Sequence, residues 1–322
     1  MSSKLVSSDR WRTTLRDKRE NVRADYLAFY SSYLDMITTD VCDMQIPLDD
    51  HLIHRGHGVY DTGTVSYGRL YEFRRHVERL ISSAKKSMIQ VKWSIESIVS
   101  LVRETVLCSG VENCSLRLWI SPGPGNFSIT SENCEPCLYI LAYRSHAFPS
   151  DPYSPHSEAT VSVGDVPMKT SAAASVKSIN YMLNAQMAAV AKSRGGNLGL
   201  WVDENDFVTE GSVCNFAIVT KSGELWTPPF DGILAGCTIL HIFDILEKMK
   251  IPYSQRKIKR SDLFDAAEVF TCGGDTHVFG VVSVDGQSIG SGQLGPVTRK
   301  LIDAIQNEMK TGQGCDSIPI YN

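Results

Sequence analysis

Fifteen residues in the middle of the chain, RSHAFPSDPYSPHSE from Arg144 to Glu158, carry three prolines and no apolar period. Proline fixes φ and removes a backbone donor, so this stretch continues neither a helix nor a sheet. It predicts an interdomain linker over 144–158, and with it two domains, 1–143 and 159–322. A chain of 322 residues is long enough for both to bury sizeable cores. In the first half, charged residues with periodic Leu, Tyr and Phe predict an outer helix from Asp9 to about Ser32. The turn Tyr67-Gly68-Arg69 joins His57–Val65 and Leu70–Phe73 into a hairpin. Apolar residues at three- and four-residue spacing give helices at Arg75–Ile89 and Ile95–Cys108, and strands follow at Leu116–Ser121 and Leu138–Tyr143.

The second half mixes strands (Thr160–Val166, Leu198–Val202, Asn215–Thr220, Tyr253–Lys259, Val269–Cys272, Val278–Val284) with helices (Ile179–Ser193, Thr238–Met249, Gly295–Met309). Its short strand-to-strand connections do not suit a doubly wound parallel sheet, which leaves an α+β fold. The net charge of −4 gives no reason to expect nucleic acid or an anionic membrane as partner. No apolar run approaches a membrane span, and the start lacks a signal-peptide core. Asp9, Asp17 and Glu20 argue against a transit peptide, so the expected location is the cytosol.

Nine cysteines, an odd number scattered along the chain, are no disulfide framework; most are expected reduced and buried. The one CxxC, Cys134–Cys137, reads as two small residues at a strand mouth or as a redox or zinc pair. His51, His54 and His57, with Asp61 nearby, read either as metal ligands or as local hydrogen-bonding groups; Gly56 and Gly58 break the helix that a shared metal-binding face would need. Neither GxGxxG nor GxxxxGK[ST] is present.

Two groups carry stronger chemistry. Lys177 closes a small-residue run ahead of an apolar helical segment, and Glu210, in TEGSVCNF, falls in a turn before a strand. A lysine so placed is able to hold an aldehyde cofactor as a Schiff base, and a carboxylate to keep a pyridine nitrogen protonated. GILAGCT, Gly232–Thr238, opens a helix whose first amides suit an anion; the other reading of Thr238 is an ordinary N-cap.

The order SVKSINY, TEGSVCNF, GILAGCT, preceded by LDDHLIHRGHGVYDTGTV and LRLWISPGPGNF, resembles the fold-type IV pyridoxal-phosphate enzymes, above all the plant-type D-amino-acid transaminases. The resemblance spans roughly Pro47 to Gly295 and implies a small α/β domain, a larger mixed α/β barrel-like domain and a homodimer. It implies pyridoxal 5'-phosphate as cofactor, held by Lys177, Glu210 and Tyr181, with Arg79, Cys237, Thr238 and Gly274 toward its phosphate. The family places a Thr or Ser hydroxyl where TCGGDTH has Gly273 and Gly274, so only backbone amides are available there and a weaker grip is expected; the roles of Asp275 and His277 stay open.

On the substrate side it implies Tyr60, Arg117 and Gly273, with Pro122 standing where bacterial D-amino-acid transaminases carry a carboxylate-binding Arg. His54 or Arg55 is a candidate to reach a neighbouring subunit. The implied reaction moves an amino group between a D-amino acid and a 2-oxo acid. Branched-chain L-amino acids, (R)-amines and an aminodeoxychorismate-type elimination are the alternatives. Two rivals lie outside the reaction class: a metal-dependent hydrolase on the three histidines, and a noncatalytic binder of the cofactor.

Overall fold

The computed structural model describes residues 4–144, 151, 153–154, 159–162, 166–274 and 277–321, of which 159, 160 and 162 by backbone alone. The chain divides into two compact units, Met1–His146 with Asp316–Asn322, and Ala147–Cys315. Most of the expected linker, 145–150, 152 and 155–158, lies outside the described residues, as do 163–165 of the strand expected there.

In chain order the first elements are α1 (Ser8–Arg19), β1 (Tyr26–Ser31), β2 (Met36–Thr38), α2 (His51–His54), β3 (Val59–Ser66), β4 (Arg69–Tyr71), α3 (Phe73–Lys86), α4 (Ile95–Ser109), β5 (Cys114–Ser121) and β6 (Cys137–Tyr143). Then come β7 (Ala159–Ser162), α5 (Ser171–Ala174), α6 (Met182–Ser193), β8 (Leu198–Val202), β9 (Phe207–Gly211), β10 (Asn215–Val219), β11 (Leu225–Thr227) and α7 (Cys237–Met249). The chain finishes with β12 (Tyr253–Gln255), β13 (Ile258–Lys259), α8 (Arg260–Asp265), β14 (Glu268–Gly273), β15 (His277–Val281), β16 (Ser283–Val284), β17 (Gln287–Ser288), α9 (Pro296–Thr311) and β18 (Ser317–Pro319).

The first unit is a sheet in the order β18-β4-β3-β5-β6-β1-β2, antiparallel at every pairing. Strand alternation turns Leu116, Leu118 and Ile120 of β5 inward, and helices α3 and α4 bury Val77, Leu80, Ile98, Val102 and Val106. Each such side chain contributes about 1.5–3 kcal/mol when fully buried. Helix α4 has the caps its sequence calls for: Ser94 Oγ accepts from Ser97 N at its start, and Gly110 adopts φ 69° at its end.

Two expectations are corrected here. The outer helix of Asp9–Ser32 stops at Arg19; the aromatic run Tyr26–Ser31 becomes β1, four of its residues buried between β2 and β6, because sheet pairing outweighs a weak helical period. The expected second domain does not keep its last residues. Strand β18 pairs with β4, Ile318 opposite Leu70, and Asp316 N donates to Glu72 Oε1 at 2.8 Å, which joins this end of the chain to the first unit.

The second unit has a five-stranded sheet, β12-β11-β10-β14-β15, and a six-stranded one, β13-β9-β8-β7-β16-β17. Phe216, Ile218, Val269 and Val281 of the one share a core with Leu200, Val202, Val208 and Ile258 of the other. Pairing is parallel only at β11–β12, β7–β8 and β7–β16 among the described strands, as the short connections require. Two expected single strands are each two. Tyr253–Lys259 splits into β12 and β13, and Val278–Val284 into β15 and β16, because at both places the chain leaves one sheet for the other and the ladder breaks.

Candidate active site

Lys177 sits in an irregular segment between α5 and α6, so the expected helix from Ile179 begins only at Met182. Thr170 caps α5 through Ala173 N, and Tyr181 occupies the N-cap position of α6. Between these two fixed points Lys177 is 8% exposed, and its Nζ donates to Tyr181 Oη at 3.3 Å. A buried amine fixed by a phenol is poised for nucleophilic or proton-transfer work.

Glu210 stands within β9 rather than in a turn, and is 7% exposed. Its Oε1 lies 2.9 Å from Lys169 Nζ, and its Oε2 accepts from Leu234 N at 3.4 Å. The Lys169 ammonium is 5.4 Å from the ring centroids of both Tyr181 and Trp201, so Lys177, Tyr181, Lys169 and Glu210 form one connected group.

The loop that bonds Glu210 leads straight into α7. Asn215 Nδ2 donates to Leu234 O at 2.8 Å, and a Cβ at residue 236 would stand 2.0 Å from Asn215 Oδ1, which explains the glycine there. Gly236 is the N-cap of α7 and makes no side-chain cap bond, so Thr238 is inside the first turn and not the cap. Cys237 and Thr238 are both buried, and the first-turn amides of a 13-residue helix have no partners within it. Gly273 ends β14 opposite His277, and Gly274 follows in a turn; Asp275 lies outside the described residues.

In the first unit the expected groups form two sets. Arg117 of β5 lies between Tyr60 and Tyr143, its guanidinium carbon 5.6 Å from each ring centroid, and donates to Tyr143 Oη at 3.4 Å. Arg79 of α3 belongs to the other set. Its Nε and one terminal nitrogen each donate to Asp61 at 2.8 Å, and His76 Nδ1 donates to the same carboxylate at 2.7 Å. Tyr60 and Asp61 are neighbours on β3 whose side chains take opposite faces. Burial alone would push the Asp61 carboxyl up, but the Arg79 guanidinium and His76 outweigh it and hold Asp61 well below the usual carboxylate range.

A model of the class IV aminotransferase family matches residues 58–284. The chloroplastic D-amino-acid transaminase of Arabidopsis thaliana is 35% identical over 294 residues, 89% of this chain and 78% of that protein. The chain belongs to the class IV aminotransferases. A D-alanine aminotransferase of Staphylococcus haemolyticus is 27% identical over 277 residues, 84% of this chain and 95% of that one. The crystal structure of the branched-chain amino acid aminotransferase of Escherichia coli superposes with a TM-score of 0.84 at 24% identity, over 92% of this chain and 99% of that one, which gives the fold.

As a class IV aminotransferase the protein is a pyridoxal-phosphate-dependent transaminase of fold type IV. The second unit fits that cofactor: a buried amine, a buried carboxylate and a helix start whose glycine leaves no room for a Cβ. Lys169 escaped the sequence reading because a lysine in a polar break has no periodic or motif signal. Asp61, near His51, His54 and His57 in the sequence, bonds His76 and Arg79.

The described HxxHxxH side chains bond locally. His51 Nε2 donates to Asn126 Oδ1 at 3.3 Å, His54 Nε2 to Asp49 O at 3.2 Å and His57 Nε2 to Ser87 O at 2.8 Å. Arg55 donates to Phe127 O and Ser128 O of its own chain. All nine cysteines are free; burial pushes the thiols of Cys114 and Cys214 up to about 12, which keeps them protonated and inert near neutral pH. Among the described residues no helix is long and apolar enough to cross a membrane.

Proposed function

We propose that this aminotransferase takes the amino group of a D-amino acid such as D-alanine and passes it to a 2-oxo acid, with Lys177 as the catalytic residue. The contact chain from Lys177 through Tyr181 and Lys169 to Glu210 carries this assignment. Pyridoxal phosphate, when bound, supplies an aldehyde that takes up the amine and a ring that withdraws electrons from the substrate Cα–H bond. Lys177 Nζ would hold that aldehyde and, as the base of the site, would take the Cα proton and return it. Tyr181 Oη orients the amine. Glu210 would hold the ring nitrogen, and the amides of Cys237, Thr238 and Gly274 would hold the phosphate.

The roles of Arg79 toward phosphate, and of Tyr60, Arg117 and Gly273 toward substrate, rest on the family resemblance. Arg suits a substrate carboxylate because its planar fork bonds two oxygens. The donor class is supported by the names of two relatives, a D-amino-acid transaminase and a D-alanine aminotransferase. The same reading includes a homodimer and a cytosolic enzyme; sedimentation and cell fractionation check them.

The test adds D-alanine, L-leucine and (R)-1-phenylethylamine separately to the cofactor-loaded protein, without acceptor, and follows its visible absorbance. D-alanine alone is expected to convert the cofactor to its amino form. Conversion by L-leucine or the amine alone contradicts the donor class, and conversion by none contradicts transamination of these donors.

A further inference from the structure

We propose that Lys169 is a positioning residue for the cofactor, acting through Glu210. The inference rests on the reading of Glu210 as the carboxylate that faces the pyridine nitrogen. At 2.9 Å, the contact from Lys169 Nζ to Glu210 Oε1 is shorter than the 3.4 Å bond that Oε2 receives from Leu234 N. The Lys169 and Glu210 side chains are 14% and 9% exposed, so this is no solvent-screened surface pair. Removing one partner of such a pair leaves a poorly solvated charge without its counter-ion.

The lysine is held as well as the carboxylate. Its ammonium lies 5.4 Å from the ring centroids of both Tyr181 and Trp201, the Trp201 Nε1 donates to Val166 O at 3.3 Å, and the next residue, Thr170, caps α5. A flexible four-carbon stem is thereby brought to one place, between the phenol that contacts Lys177 and the carboxylate in β9. Lys169 thus gives Glu210 a fixed counter-charge on one oxygen, which orients the carboxylate before any cofactor arrives. Preorganisation of this kind lowers the cost of binding.

The experiment measures the dissociation constant of pyridoxal phosphate from the cofactor-free protein in a double-mutant cycle. Lys169→Met is expected to weaken binding by about tenfold or more, the loss of a largely buried counter-ion, whereas Lys169→Arg restores most of the affinity. In a Glu210→Gln background Lys169→Met has no further effect, because a neutral amide needs no counter-charge. Lys169→Gln replaces the methionine in the same cycle if that variant does not fold.

Unchanged or tighter binding by Lys169→Met, or an equal loss in both backgrounds, overturns the inference. The cycle also separates it from the reading on which it rests. Glu210→Gln that binds as tightly as wild type removes the role of Glu210 and this inference with it; weaker binding by Glu210→Gln, with Lys169→Met neutral, removes the inference alone.

Discussion

At the scale of single residues, the clearest consequence concerns Asp61. Its folded-state affinity for a proton is lowered by Arg79 and His76 in spite of burial, so its contribution to stability is complete above the ordinary carboxylate value of 3.8 and is lost as pH falls below it. Asp61→Asn is therefore expected to lower the melting temperature at pH 7 and to flatten its dependence on pH between about 5 and 2; an unchanged acid limb in thermal scans would rule this out. Lys177 and Glu210 stand out in the sequence because separated motifs agree in order, and the structure connects them through Tyr181 and Lys169. Lys169 does not stand out, since its pairing with Glu210 is a contact 41 residues away in sequence, between a polar loop and β9. The partners of Asp61 were hidden for a related reason: alternation along β3 says which face a side chain takes, not that α3 will bring Arg79 and His76 to it.

Among the elements, long amphipathic helices and hairpins were readable because their periodicity is local. Helix α4 was expected at Ile95–Cys108 and is Ile95–Ser109, and β8 matches its expected bounds. What failed was whatever depended on distant pairing: β1 inside a charged, helix-like stretch, β18 returning to β4, and the two strands that divide between sheets. The join between β3 and α3 gives a test at this scale. A Cβ on Gly63 would stand 2.7 Å from the ring of Phe73, which is fully buried and opens α3. Gly63→Ala is expected to cost about 1–3 kcal/mol through overpacking, read as a fall in melting temperature of about 2–4 °C per kcal/mol for a unit of this size. Wild-type stability in the variant would mean that the ring has room to move.

For the whole molecule, two units were foreseeable from a proline-rich break, while the return of residues 316–322 to the first unit was not, because nothing local marks a strand that completes a distant sheet edge. Function follows the same division. The second unit gathers the amine, the phenol, the carboxylate and the α7 start, and the covalent step is proposed there, at Lys177. Two lysines flank Tyr181, with Nζ atoms 5.5 and 5.4 Å from its ring centroid, so the choice between them is a sharp one. The most direct measurement reduces the pyridoxal-phosphate-loaded protein with borohydride, digests it and locates the phosphopyridoxyl group by mass spectrometry. The group on Lys177, with none on Lys169, is the result this account predicts; labelling of Lys169 instead, or of no lysine in a protein that has bound the cofactor, would contradict it.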